Sequence, residues 1–85
     1  MKIFRVIAEI SLKPEVSDIQ GQAILSAVKE AGHDDMIDVG AGKVYYLKIN
    51  ASDEKSAVLK AEELCSGILA NTIIETFKVT TVVEL

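Results

Sequence analysis

The stretch FRVIAEISLKPEVSDIQGQAI, residues 4–24, determines the start of the fold. Its first part alternates apolar and polar residues with period two, which predicts a strand with one face on a core. Lys13-Pro14 ends this strand, because proline has no amide hydrogen to donate to a sheet. Ser17 to Gln20 then resembles a capping box, with the serine as the predicted N-cap. Apolar residues at helical spacing follow, and we predict a helix over Asp18–Ala31 with Gly32 as a left-handed C-cap.

The remaining sequence predicts three strands and one helix. Met36–Val39 and Val44–Asn50 read as a hairpin that turns at Gly40-Ala41-Gly42. Ser52-Asp53-Glu54 opens a second helix, with Ser52 as its predicted N-cap, and Ile73–Leu85 forms a terminal strand. The element order β-α-β-β-α-β predicts a single α+β domain over residues 1–85. Its expected architecture is ferredoxin-like, with a four-stranded antiparallel sheet and two helices on one face.

Composition limits the possible functions. The 85 residues include one cysteine and one histidine, which excludes an internal disulfide and any metal site built on several thiolates or imidazoles. The net charge of −4 argues against a nucleic-acid binder, which needs an excess of lysine and arginine. No apolar run approaches the roughly 20 residues of a membrane-spanning helix. We therefore expect a cytoplasmic protein without a nucleic-acid or membrane partner.

The predicted sheet face away from the helices is partly apolar. Along the strands, five apolar residues interrupt its charges: Ile3, Ile7, Val44, Tyr46 and Val82. Extended exposed apolar patches usually mark an interface. We expect self-association through this face or through an edge of the sheet. The same alternation puts Phe77, Val79, Thr81 and Val83 on the opposite, core-facing side.

No group of residues predicts catalysis with any specificity. Gly40 to Lys43 lacks the spacing of a phosphate-binding loop and is followed by a strand, so we interpret it as a turn. Tyr45 and Tyr46 point to opposite faces, which disfavours an RNA-stacking platform. His33 and the acidic residues after it have no cation-loop spacing, and Cys65 lies on the apolar stripe of the second helix.

The segment between the first strand and the first helix has one unexpected residue. Gly21 lies in the first helical turn, where glycine costs about 1 kcal/mol relative to alanine. Such a cost indicates close approach by another backbone or by a partner, or close packing of the helix on the sheet. Lys13, Pro14 and Asp18 belong to the same segment.

Two separated motifs resemble those of one family. The first is Leu12-Lys13-Pro14-x-Val16-x-Asp18-x-x-Gly21-x-x-Ile24, and the second runs from Leu64-Cys65 through Asn71 to Glu75. Together with Gly42-Lys43, the length and the element order, they resemble PurS, the small subunit of phosphoribosylformylglycinamidine synthase. Two residues depart from the family pattern: Thr72 stands where proline is usual, and Gly40 where a basic residue is common.

The resemblance implies a non-catalytic assembly subunit in de novo purine biosynthesis. It implies a homodimer or larger oligomer that bridges a glutaminase subunit and a large synthetase subunit and supports ammonia transfer. ATP, Mg²⁺ and glutamine are then used by those partners, and this ligase subunit has no cofactor, metal or catalytic residue of its own. The candidate partner contacts are Lys13, Pro14, Asp18, Gly21 and Asn71. Two alternatives stay open: a small-molecule-sensing regulatory module of the same fold, and a small enzyme using His33 and its acidic neighbours.

Overall fold

The computed structural model describes residues 1–85 as an α+β chain. A three-stranded antiparallel sheet has the order β2-β1-β3. The elements in chain order are β1 (Lys2–Leu12), α1 (Ile19–Glu30), β2 (Gly42–Ala51), α2 (Glu54–Leu64), a π-helical segment (Cys65–Leu69) and β3 (Glu75–Glu84). The predicted α+β class is confirmed, but the predicted β-α-β-β-α-β order and its four-stranded ferredoxin-like sheet are wrong, because only three strands form.

The missing strand is the predicted first arm of the hairpin. Residues 36–39 have no ladder partner, and β2 pairs only with β1, from Lys2 opposite Ala51 to Ser11 opposite Gly42. The segment instead runs back to the start of α1, where the Asp18 carboxylate accepts a hydrogen bond from the Ala41 amide. Because the segment is held at the helix, it cannot extend the sheet beside β2.

The core lies between the sheet and α2. Alternate residues of β1 are buried on the helix side, as the period-two pattern predicted: Phe4, Val6, Ala8 and Ile10. Ala57 and Ala61 of α2 pack with Phe4 and Val6. Cys65 and Ala70 pack with Ala8 and Ile10. Tyr45 and Leu47 flank the core from β2, as expected from the alternation of that strand.

A β-bulge changes the orientation of the residues along β3. Ile7 pairs with Thr81, but Ala8 pairs with Val79, so Thr80 is an extra residue in the ladder. Beyond the bulge, Val82 packs on the core, and Thr81 and Val83 face away from it. The prediction that Val82 is on the uncovered face, and Thr81 and Val83 on the core side, is therefore wrong.

The helix caps differ slightly from the predicted ones. Asp18 and Asp53 are the N-caps, each accepting a hydrogen bond from an amide three residues later, where Ser17 and Ser52 were predicted. In both places two residues able to cap stand side by side, and the aspartate takes the position. Gly32 has φ of 99°, which confirms the predicted left-handed residue after α1.

The molecule is flat and elongated. Its radius of gyration is 16.3 Å, whereas a compact domain of this length has about 12 Å. The cause is α1, which projects from the end of the sheet and makes no substantial contact with the strands or with α2. None of the helices has the length and apolar character needed to cross a membrane.

The side of the sheet away from α2 is called the open face below. Its apolar members are Ile3, Ile7, Val44, Tyr46 and Val83, and its charged members are Arg5, Glu9, Lys48 and Lys78.

Candidate functional site

Both sequence motifs meet at one end of the sheet, which we call the motif end: Lys13–Gly21, Val39–Lys43 and Asn71–Glu75. Leu12, the last residue of β1, pairs with Glu75, the first residue of β3. The Lys13 amide donates a hydrogen bond of 2.9 Å to the Ile74 carbonyl, and the Val16 amide donates one of 3.0 Å to the Lys13 carbonyl. The turn after β1 therefore lies beside the segment that follows Asn71.

The Asp18 carboxylate joins α1 to the segment before β2. Oδ1 accepts from the Gly21 amide at 2.8 Å, and Oδ2 accepts from the Ala41 amide at 2.8 Å. Both hydrogen bonds lower the pKa of Asp18 because they favour its ionised form, and the bond from Ala41 has the larger effect. Asp18 is thus committed to an internal contact that spans 23 positions of the chain.

Gly21 allows two backbone segments to approach each other. It is the one buried residue of α1. A Cβ at this position would overlap the Val39 carbonyl oxygen and lie 2.7 Å from Asp18 Oδ2. Of the alternatives that the sequence left open, the structure shows close approach by another backbone, that of residue 39. The alternative interpretation, that Gly21 allows α1 to pack closely on the sheet, is wrong.

Asn71 forms the turn into β3. Its carbonyl accepts from the Ile74 and Glu75 amides at 3.0 and 2.7 Å, and its side-chain Oδ1 accepts from the Ile73 amide at 3.2 Å. Its own amide donates to Glu75 Oε1 at 2.7 Å. These bonds close the turn around Thr72, where the family that the sequence resembles usually has proline.

Glu75 and Lys43 complete the motif end and were not among the predicted site residues. Glu75 Oε2 lies 3.5 Å from Lys43 Nζ, and the Glu75 side chain is only 15% exposed. The Asn71 amide, and to a lesser degree Lys43, lower the pKa of Glu75. The sequence signal was the Asn-x-x-x-Glu spacing, but the pairing with Lys43 depends on a register that no local pattern specifies.

A shallow groove of about 250 Å³ opens at this end. Its lining is mainly polar, from β1, α1, β2 and Glu75. Lys13 forms no ion pair and Pro14 is exposed, so these two of the five predicted contact residues remain available to a partner. Asp18, Gly21 and Asn71 lie at the same end and make the internal contacts described above.

The other candidate groups lie elsewhere. His33, Asp34 and Asp35 are exposed in the turn after α1, and no group of three His, Cys, Asp or Glu side chains is placed to hold a metal ion. Cys65 is fully buried, and burial raises the pKa of its thiol. The turn after β1, where a regulatory module of this fold would need a glycine loop, is formed by Lys13 to Val16.

Comparison with known proteins gives the family. The family model for PurS, described as phosphoribosylformylglycinamidine (FGAM) synthase, matches residues 5–83. The chain belongs to the PurS family. The PurS subunit of phosphoribosylformylglycinamidine synthase from Bacillus subtilis is 37% identical over 76 residues, which cover 89% of each chain. The predicted membership is confirmed.

Solved PurS structures share the fold. Thermus thermophilus PurS superposes with a TM-score of 0.88 at 29% identity, covering 98% of both chains. A chain in the structure of PurLQS from Thermotoga maritima superposes with a TM-score of 0.84 at 22% identity, covering 100% of both chains. The fold of this chain is therefore shared with solved PurS chains.

Proposed function

We propose that this chain is the assembly subunit of a phosphoribosylformylglycinamidine synthase in purine biosynthesis. In this role it joins a glutaminase subunit to a large ATP-dependent synthetase subunit and does not itself catalyse a chemical step. Membership in the PurS family supports the assignment to this complex. The Thermotoga neighbour, whose structure is that of PurLQS, is an example of this fold inside such an assembly.

The observation that carries the assembly role is helix α1, whose apolar stripe is not covered by the sheet or by α2. Its apolar stripe includes Ile24, which is 41% exposed, and the exposed Ala27 and Ala31. Only 11 of 85 residues are buried, a small core for a folded domain. A second copy that covers α1 would remove this apolar surface from water. We therefore propose that α1 contributes to self-association.

The motif end supplies a second surface, separate from the α1 stripe. There the Lys13-Pro14 turn stands on a frame held by the Asp18, Asn71 and Glu75 hydrogen bonds. A rigid turn loses little conformational entropy when a partner binds. We propose that Lys13 and Pro14 contact one of the enzyme subunits. A subunit that binds partners at separate surfaces fixes their relative positions, so that ammonia released at one site reaches the other.

The chemistry of the reaction then belongs to the larger subunits. We propose that they bind glutamine, ATP and Mg²⁺, because the Asp18 and Glu75 carboxylates at the motif end are engaged in hydrogen bonds that hold the backbone. The single thiol is buried and unpaired, which suits a reducing compartment, and we propose a cytoplasmic location.

An omission assay tests this function. The three purified subunits are mixed, and FGAM formation is measured with glutamine and, separately, with ammonium chloride as the nitrogen source. We expect omission of this chain to abolish the glutamine-dependent rate and to change the ammonia-dependent rate much less. Unchanged glutamine-dependent activity without the chain would contradict the proposal.

A further inference from the structure

The open face is flat, partly apolar and uncovered. Ile7 on the central strand stands opposite Tyr46 on one side and Thr81 on the other. Tyr46 is 73% exposed, and Val44 and Val83 are about half exposed, at 44% and 51%. No helix of the chain packs on this side, because α2 packs on the other one.

Two cations face each other on this surface. Arg5 and Lys48 are directly opposite in the β1–β2 register, and both are exposed. Like charges directly opposite in an antiparallel pair destabilise it. Neither side chain has an acidic partner within ion-pair distance, whereas Lys2 and Lys43, on the helix side of the sheet, are paired with Glu84 and Glu75. The open face thus has cations without counter-charges.

The charge of this face differs from that of the rest of the chain. Arg5, Lys48 and Lys78 against Glu9 give the open face a net charge of +2, although the whole chain carries −4. The remaining surface therefore carries −6. An acidic partner is repelled by most of this molecule and attracted by one face, which specifies the orientation of docking.

The charge also selects among possible occupants. A second copy stacked on this face would bring a net +2 against a net +2, and its carboxylates lie mainly on its other surfaces. Tyr46 and Arg5 are residue types that are enriched at protein interfaces. We infer that the open face docks an acidic surface of an enzyme subunit, with carboxylates received between Arg5 and Lys48 and apolar contact at Ile7 and Tyr46. This inference rests on the proposed function.

Charge reversal tests the inference. Binding of the full chain to the synthetase and glutaminase subunits is measured for the wild type and for R5E and K48E, at low and high salt. We expect each reversal to raise the Kd on the order of tenfold at low salt, with a smaller effect at high salt. K48E puts an anion opposite Arg5, so its melting temperature should equal or exceed that of the wild type, which excludes misfolding as the cause.

The matched control is K55E, which reverses one exposed lysine of α2 on the other side of the molecule. We expect its Kd to stay within about twofold of wild type. If R5E and K48E bind the enzyme subunits with the same Kd as the wild type, the inference is overturned and the proposed function still stands. A wild-type chain that binds neither enzyme subunit would overturn the proposed function itself.

Other occupants give different results. If R5E or K48E changes the oligomeric state of the isolated chain, the open face belongs to a second copy and the inference is wrong. It is equally wrong if the wild-type chain, but not K48E, binds phosphatidylserine vesicles or poly(U). We expect an unchanged oligomeric state and no binding to either anionic probe.

Discussion

Replacing Gly21 by alanine perturbs the contact between α1 and the segment before β2. The new methyl group would overlap the Val39 carbonyl oxygen and lie 2.7 Å from Asp18 Oδ2. The carbonyl belongs to the backbone, and the Asp18 carboxylate is held by the Gly21 and Ala41 amides. Neither group can rotate away as a flexible side chain could. The substitution therefore has to displace the segment from the helix.

The size of the effect follows from two opposing contributions. Overpacking a tight site costs about 1–3 kcal/mol, and a backbone oxygen as the obstacle places this site near the upper value. Alanine returns about 1 kcal/mol of helix propensity relative to glycine. We expect G21A to lower the free energy of unfolding by about 2 kcal/mol, which lowers the Tm of a domain of this size by about 8–16 °C.

Urea and thermal unfolding followed by circular dichroism measure this change. All variants must be compared at one protomer concentration, because association stabilises the folded state. G67A is the matched control, since a Cβ at Gly67 meets no atom within 4 Å. We expect G67A to be as stable as the wild type or slightly more stable. If G21A and G67A are equally stable, the close approach at Gly21 does not exist as described.

Three further predictions concern pH, self-association and the thiol. The pKa of Asp18 is lowered in the folded state, so its carboxylate stabilises the fold above the unfolded value of about 3.9 and loses this effect as pH falls through the folded pKa. D18N should therefore lower the free energy of unfolding at pH 7, measured in urea, and this free energy should fall less than that of the wild type below about pH 4. The same decrease below pH 4 in both proteins would contradict this. I24E should shift the oligomer toward monomer in analytical ultracentrifugation, while Q22E, on the opposite side of α1, should not. If I24E has the same molecular mass in solution as the wild type, the Ile24 side of α1 is excluded from the interface. Cys65 should react with iodoacetamide in urea and resist it in the native state, because the side chain is fully buried; equal rates would contradict that burial.

The sequence predicted the elements whose signals are local. The alternation of β1 and the spacing of apolar residues in α1 are repeated over several turns or pleats, so the type of element and its buried side in β1 could be read directly. The absent fourth strand could not be predicted from its own residues. It depends on Asp18 and Gly21, which hold residues 39–41 at the helix from about 20 positions away in the chain.

The bulge at Thr80 is another feature without a local signal. One extra residue in the ladder exchanges the faces of Val82 and Val83, so a period-two extrapolation along β3 fails after that point. The motif end was partly predicted, because resemblance to a family selected Lys13, Asp18, Gly21 and Asn71. The Lys43–Glu75 pair joins two strands that both pair with β1, and only the tertiary register brings these residues together.

The origin of the nitrogen in the product tests the central claim most directly. FGAM is synthesised from amide-¹⁵N-glutamine in the presence of excess unlabelled ammonium ion, and the ¹⁵N content of the product is read by mass spectrometry. With all three subunits, we predict that the product retains the ¹⁵N label, because this chain holds the two enzyme sites in register. Without this chain, or with a variant that no longer binds the enzymes, the label should fall to the bulk isotope ratio. Equal ¹⁵N retention with and without the chain would contradict the assembly role.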